Sequence, residues 1–374
     1  MKIVHLALDE KFLPLARSLF DEAFPGANTF LVCRRRGQTP RFLRPDAQVH
    51  YRRSLRFRHP WLMPELRRAD IVVVHAMTGL HAGALRAVPA SALVVWIGYG
   101  FDYYDLLGPR IGGLWGEATG ALVRQLALGD GAAAAPQRTP LADVAARIDV
   151  FSVNPAETEM LREALPALRA RYHALPSFTL EDVFEQGPPH MAGPDVLLGN
   201  SAAPTNNHLE AFELLAGALP PDARLVVPLS YGCSDPRYAD HIEAAGRQRF
   251  GERFVPLRHW MPLAEYQNCL ARCGSVLMNH RRQQAVGNLA ASLHKGARIF
   301  LPRGNPLFTF FTGLGASVTP VEAIATEPAL LCRPLDAATQ SANRAAIAAR
   351  FGRAAVLARV RALEALHRER AILP

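Results

Sequence analysis

The most informative chemistry in this chain lies between Asn279 and Asn288, which reads NHRRQQAVGN. These residues follow a short apolar run, Ser275–Met278, and precede an apolar helical pattern, Leu289–Lys295. A strand that ends in cations and amides just before a helix suits an anionic ligand. The helix start offers unpaired N–H groups and a positive dipole end, and an arginine fork pairs with phosphate. Taken alone, the same residues also read as a solvated loop.

Other strand ends carry similar chemistry. The run Val196–Leu198 leads into Gly199, Asn200 and Ser201, then Thr205, Asn206 and Asn207 ahead of a helix. Leu225–Val227 leads to Pro228, Ser230, Tyr231 and Gly232, and Ile299–Leu301 to Arg303, Gly304, Asn305 and Pro306. Each is also an ordinary turn composition. In open parallel sheets, however, ligands bind beyond the carboxyl ends of the strands. Gly199 and Ser201 suit a close backbone approach to phosphate, and Tyr231 suits stacking on a base. Arg282, with the helix start from Gln283 to Asn288, suits a diphosphate.

Earlier in the chain, Ile71–Val74 ends in His75, and Leu93–Trp96 runs into IGYGFDYYD, which places Asp102 after a strand. Either side chain can serve as general base toward an acceptor hydroxyl. The alternatives are a hydrogen-bonded core histidine for His75 and a helix cap for Asp102.

The elements that must position these groups alternate as short β-branched or Leu-rich runs and longer helical patterns, which predicts an α/β protein with parallel sheets. Strands are expected at Lys2–Leu6, Thr29–Val32, Ile71–His75, Leu93–Trp96 and Val150–Val153, then at Val196–Leu198, Leu225–Val227, Phe254–Pro256, Val276–Met278 and Ile299–Leu301. At 374 residues the chain reads as two domains. The expected division is 1–183, a Pro/Gly-rich linker at 184–194 (FEQGPPHMAGP), 195–336, and a helical segment at 337–374. Gly129–Ala142 reads as a loosely ordered connection, and Ala337–Ala371 as one long amphipathic helix.

Several classes are disfavoured. Ala7-Leu8-Asp9-Glu10 follows the first strand, so the glycine-rich dinucleotide fingerprint is missing there. No G-x-S-x-G elbow or phosphate-loop lysine motif is present. Five scattered cysteines (33, 233, 269, 273, 332) do not make a disulfide framework; Cys269 and Cys273 lack a second ligand pair for zinc. No run of about 18 apolar residues predicts a membrane span. The N-terminus reads as a first strand and not as a signal peptide, and the cysteine usage fits a reducing cytoplasm.

The formal charge of +9 is unevenly spread. Eleven arginines lie between Arg34 and Arg68, among them Arg52, Arg53, Arg56 and Arg58, with Trp61 and other aromatics interspersed. Such a stretch can meet anionic lipid headgroups, can meet nucleic acid, or can be a solvated basic face.

The segments LLGNSAAPTNNHLEA, RLVVPLSYG, AEYQNCLARCG, RRQQAVGNL and RGNP resemble the second domain of the bacterial 4-acetamido-4,6-dideoxygalactosyltransferases of glycosyltransferase family 56. WIGYGFDYYDL is similar to a segment of that family's first domain. The resemblance spans roughly Ile71 to Leu314 and is strongest from Leu197 onward. It implies a GT-B fold, in which two Rossmann-like domains with parallel sheets face across a cleft and a C-terminal helix crosses back to the first domain. It also implies a dTDP-sugar donor and a polyprenyl-diphosphate-linked or other glycan acceptor at the cytoplasmic face of the bacterial inner membrane. By the same resemblance, Gly199, Asn200, Ser201, Arg282, Gln283, Gln284, Gly287 and Asn305 line the donor site. Asn279-His280-Arg281 departs from the aromatic or apolar strand end expected there, which marks the sugar, not the nucleotide, as the part of the donor open to difference.

The chemistry implied is sugar transfer in bacterial surface polysaccharide synthesis. The leaving diphosphate gains negative charge, and Arg282 with the following helix start, through Gly287 and Asn288, is placed to stabilise it. The donor segments hold neither a D-x-D motif nor a carboxylate pair, so neither a metal nor another cofactor is required. Ser230 and Tyr231 complete the expected donor contacts. Arg52, Arg53, Arg56, Arg58 and Trp61 form the expected membrane or acceptor face. A peripheral protein on anionic membrane is expected; the alternatives are a GT-B epimerase or hydrolase and an Arg-rich nucleic-acid-binding protein.

Overall fold

The computed structural model describes all residues except 35, 36, 38, 129–139, 177, 185–187 and 373–374. The chain divides into two compact units. The first comprises Met1–Leu107, Ala134–Thr179 and Phe351–Pro374, and the second Gly108–Ala133 and Leu180–Arg350.

The first unit holds seven strands: β1 (Ile3–Leu8), β2 (Asn28–Arg34), β3 (Val49–Arg53), β4 (Ile71–His75), β5 (Leu93–Ile97), β6 (Val150–Ser152) and β7 (Arg171–Tyr172). Their order is β3-β2-β1-β4-β5-β6-β7, and every pairing is parallel. β4 (IVVVH) and β5 (LVVWI) are buried at every position, as expected for central strands covered on both faces. The second unit holds six: β8 (Val196–Leu198), β9 (Leu225–Pro228), β10 (Phe254–Leu257), β11 (Ser275–Leu277), β12 (Arg298–Leu301) and β13 (Val318–Pro320). They follow the same winding, β10-β9-β8-β11-β12-β13, again all parallel.

Both sheets reverse their order of addition beside the first strand, between β1 and β4 and between β8 and β11. That is the switch point of a doubly wound sheet, where the loops on either side part and leave a crevice. The loops after β8 and β11 therefore meet, although about eighty positions of sequence separate them.

Three differences from the sequence expectations have physical causes. Strands β3, β7 and β13 lie toward the sheet edges, and each is short or polar, so none shows an apolar run. The C-terminal helix is two helices, Ala337–Phe351 and Arg353–Ile372, broken at Gly352, the residue type most costly to a helix after proline. The break falls where the chain passes from the second unit to the first. There Val356, Val360 and Leu363 form one buried stripe against Leu19 and Phe20 of helix Leu13–Ala23 and Ile3, Ile71 and Val95 of the sheet. Finally, residues 108–133 cluster with the second unit.

Of the Pro/Gly-rich stretch 184–194, residues 185–187 lie outside the described residues, as does 129–139 of the Gly129–Ala142 connection. Met191 and Ala192 donate their N–H groups to the Lys295 and Ala271 carbonyls, tying that stretch to the second unit. Among the described residues no helix is long and apolar enough to cross a membrane.

Candidate functional site

The second unit gathers polar side chains where the loops after β8, β9, β11 and β12 converge. Gly199 leaves β8 with φ +69°, and a Cβ there would sit 2.7 Å from the Asn206 Oδ1, so only glycine fits without strain. Asn200 Nδ2 donates to the Tyr231 hydroxyl at 3.3 Å, and Asn200 Oδ1 accepts from Gln284 Nε2 at 2.8 Å. Gln284 Oε1 in turn accepts from Thr205 Oγ1 at 2.6 Å and from Arg282 Nε at 3.1 Å. The Arg282 guanidinium is thus held in one plane by an amide that is itself held.

Asn305 caps helix Pro306–Gly313, accepting the Leu307 N–H at 2.8 Å. Its Nδ2 donates to the carbonyls of His280 at 2.7 Å and Arg282 at 3.2 Å. The loop bearing Arg282 is anchored from its backbone as well as its side chain.

Helix Val286–His294 starts at Ala285, a left-handed residue (φ 60°, ψ 30°) whose side chain cannot cap it. Gly287 and Asn288 stand in its first turn. Left-handed backbone at alanine costs roughly 1–2 kcal/mol, a strain that the anchored loop sustains. A helix start without a side-chain cap, next to a held arginine, has the chemistry that suits an anion. Ser201, buried, lies beneath Gly232, while Ser230 and Gln283 are half-buried on the same loops.

Three features of this site escaped the sequence reading. Asn206 is fully buried at the centre of the loops. His280 points inward, also fully buried, so burial and then the Arg282 charge hold its imidazole well below the ordinary pKa and keep it neutral. Asn279 bonds Asn207 through both its carbonyl and its amide, and exposed Arg281 reaches the Gly112 carbonyl at 3.3 Å. The departure at Asn279-His280-Arg281 therefore falls on groups that the protein itself contacts. Asn207 also accepts from Gly116 N–H at 2.8 Å, and Glu210 accepts from Thr119, which ties the segment around Gly116–Thr119 to this edge.

In the first unit, His75 and Asp102 lie within closed networks. His5 Nε2 meets Asn28 Oδ1 at 3.2 Å, an acceptor, so that nitrogen carries the proton. His5 Nδ1 then accepts from His75 Nε2 at 3.0 Å, and His75 Nδ1 accepts from the Tyr99 hydroxyl at 3.2 Å. Both His75 nitrogens are used, and burial holds its pKa well below the ordinary value. Asp102 is buried after β5 and accepts from Met77 N–H at 2.7 Å, Trp96 Nε1 at 2.9 Å and Tyr99 N–H at 2.9 Å. Burial pushes its carboxyl up, against the pull of those donors. Buried Glu157 takes the hydroxyls of Tyr103, at 2.6 Å, and Tyr104. Asp102 and Glu157 together hold the turn after β5, and His75 and Asp102 are both buried there.

The basic segment divides by direction. Phe57, Met63 and Leu66 are buried, whereas Leu55 and Trp61 are each 59% exposed and Leu62 is 45% exposed. Arg53, Arg56 and Arg58 are exposed; Arg52 pairs with Glu65 at 3.0 Å. Arg56 donates to the Leu62 carbonyl at 3.0 Å.

Residues 178–320, which contain all four of the converging loops, match the family model described as 4-alpha-L-fucosyltransferase glycosyl transferase group 56. The chain is a glycosyltransferase, similar over that stretch to family 56. The transferase has the GT-B fold, as its likeness to solved structures shows. It is similar to sucrose-phosphate synthase from Thermosynechococcus elongatus (12% identity, 99% of each chain covered, TM-score 0.61). It is likewise similar to the lipopolysaccharide outer core galactosyltransferase WaaB (12% identity, 98% of this chain and 99% of that one, TM-score 0.61). A third likeness is to Anabaena HepE in complex with UDP and glucose (13% identity, 97% and 99% covered, TM-score 0.60). At these identities the likeness is one of fold.

Proposed function

We propose that the transferase moves a deoxyamino-sugar-type residue from a dTDP-sugar or other nucleoside-diphosphate sugar to a lipid-linked or other glycan acceptor in bacterial surface polysaccharide synthesis. The observation that carries this reading is the held Arg282 beside the helix start at Ala285. As the bond from the anomeric carbon to the diphosphate oxygen breaks, its electron pair moves onto the diphosphate. A cation and oriented N–H groups already in place stabilise that charge without reorganisation. Tyr231, 45% exposed beyond β9, offers its ring to the nucleobase. No divalent ion is invoked.

A thermal-shift panel of dTDP, UDP, GDP and their sugars is expected to give stabilisation by dTDP above the others. Transfer is then followed with a polyprenyl-diphosphate-linked glycan. No response to any nucleotide would remove the donor reading. Free sugar or an epimer formed from the donor alone, followed by NMR, would point to a hydrolase or epimerase instead.

The exposed set Leu55, Trp61 and Leu62 with Arg53, Arg56 and Arg58 supports docking on an anionic bilayer. Tryptophan favours the interface, and each arginine contributes about 1 kcal/mol near such a surface. Replacing the three arginines by glutamate is expected to abolish sedimentation with phosphatidylserine vesicles, with little change on phosphatidylcholine. Undiminished sedimentation, or salt-dependent retention of DNA lost in the same variant, would overturn the membrane assignment.

A further inference from the structure

Taking the edge around Arg282 as the donor site, we propose that Asn206 is the positioning residue that holds the Gly199–Ser201 loop and the Arg282 loop in one frame, with His280 as its fixed partner. Asn206 is fully buried and ends the short turn Pro204–Asn206. Its Oδ1 accepts from the Asn200 N–H at 3.0 Å and from His280 Nε2 at 2.8 Å. Its Nδ2 donates to the carbonyls of Ser201 and Ala203, each at 2.9 Å. A carboxamide has two acceptor lone pairs and two donor hydrogens, so these bonds saturate it.

The consequences run in both directions from that one group. Toward β8, the amide pairs the Asn200 N–H and the Ser201 carbonyl and shares the Ala203 carbonyl with the Asn206 backbone N–H. Toward β11, it grips a histidine whose carbonyl is gripped by Asn305, which also holds the Arg282 carbonyl. His280 must carry its proton on Nε2 to donate here, and its Nδ1 has no hydrogen-bond partner among the described residues. Burial keeps the ring neutral, so the bond to Asn206 is that of a single tautomer. Asn206 never faces the ligand; it acts through Asn200, Ser201 and Arg282.

Three variants separate positioning from mere support. Asn206→Asp keeps the shape but sets a carboxylate oxygen against the Ser201 and Ala203 carbonyls. His280→Phe removes the donor, and His280→Gln restores an N–H. Donor turnover in Asn206→Asp and His280→Phe is expected to fall at least about tenfold in kcat, the scale of losing one buried hydrogen bond that orients the site. The acceptor KM is expected to stay within about twofold, since the effect acts through the donor side. His280→Gln is expected to recover most of the lost kcat. Equal kcat for His280→Phe and His280→Gln, or wild-type kcat in folded Asn206→Asp, would overturn the proposal. Should Asn206→Asp not fold, the His280 pair decides alone. A wild-type protein that binds no nucleotide overturns the donor reading and this one together; normal nucleotide binding with the His280 pair indistinguishable overturns this one only.

Discussion

Substituting Arg282 by alanine is expected to reduce sugar transfer by about 10²–10³-fold, the range for removing one preorganised donor from a developing anion. The reason lies in how the side chain is held. Gln284 accepts its Nε–H, and Asn305 fixes its carbonyl, so the guanidinium is oriented before any donor arrives. Lysine at this position keeps the charge but loses the planar fork, and is expected to restore little. Neighbouring Arg281 provides the control. It is exposed and, among the described residues, reaches only the Gly112 carbonyl, so Arg281→Ala is expected to stay within a few-fold of wild type. Calorimetric titration with the nucleoside diphosphate gives the direct check. Unchanged affinity in Arg282→Ala would take the residue out of the donor site.

The second large effect concerns stability. Asp102→Ala leaves the Met77, Trp96 and Tyr99 N–H groups buried without their acceptor. Each such loss costs about 1–3 kcal/mol, so the first unit is expected to lose roughly 3 kcal/mol or more. In thermal denaturation that is a Tm lower by about 6–12 °C for a unit of this size. Asp102→Asn keeps one acceptor oxygen and is expected to fall between the two. A variant that melts with the wild type yet has no transfer activity would reverse the assignment and return the carboxylate to the acceptor as its base. The same distinction applies to His75, whose two nitrogens are spent on His5 and Tyr99.

Much of the fold is legible in the chain because central parallel strands are buried on both faces and so read as unbroken apolar runs. Strand β3 (VHYRR) is invisible by the same logic, because it is an edge strand whose residues are mostly half-exposed. Helix period shows that residues 337–372 are helical, but the stop at Gly352 falls where the chain leaves the second unit, and the half after it buries its stripe in the first. Residues 108–128 join the second unit through Leu122, buried in its core, and through bonds from Gly116 and Thr119 to Asn207 and Glu210, each ninety-one positions away. No local pattern encodes such a bond.

The candidate site divides along the same line. By itself the amino-acid sequence determined which polar residues end which strands, that Arg282 precedes a helix, and that the segments from Leu197 onward resemble one transferase family. These are local facts, set by residue type and spacing. Only the tertiary structure decided which of those groups are consumed by one another. It closed His75 and Asp102 into the first unit, joined Arg282 to Gln284 and Asn200, and put Asn206, a turn residue by its sequence, at the hub. The reason is physical: a polar side chain's role depends on whether its lone pairs and protons are already satisfied. That follows from burial and from partners distant in sequence, which exist only once the sheet has brought its strand ends together.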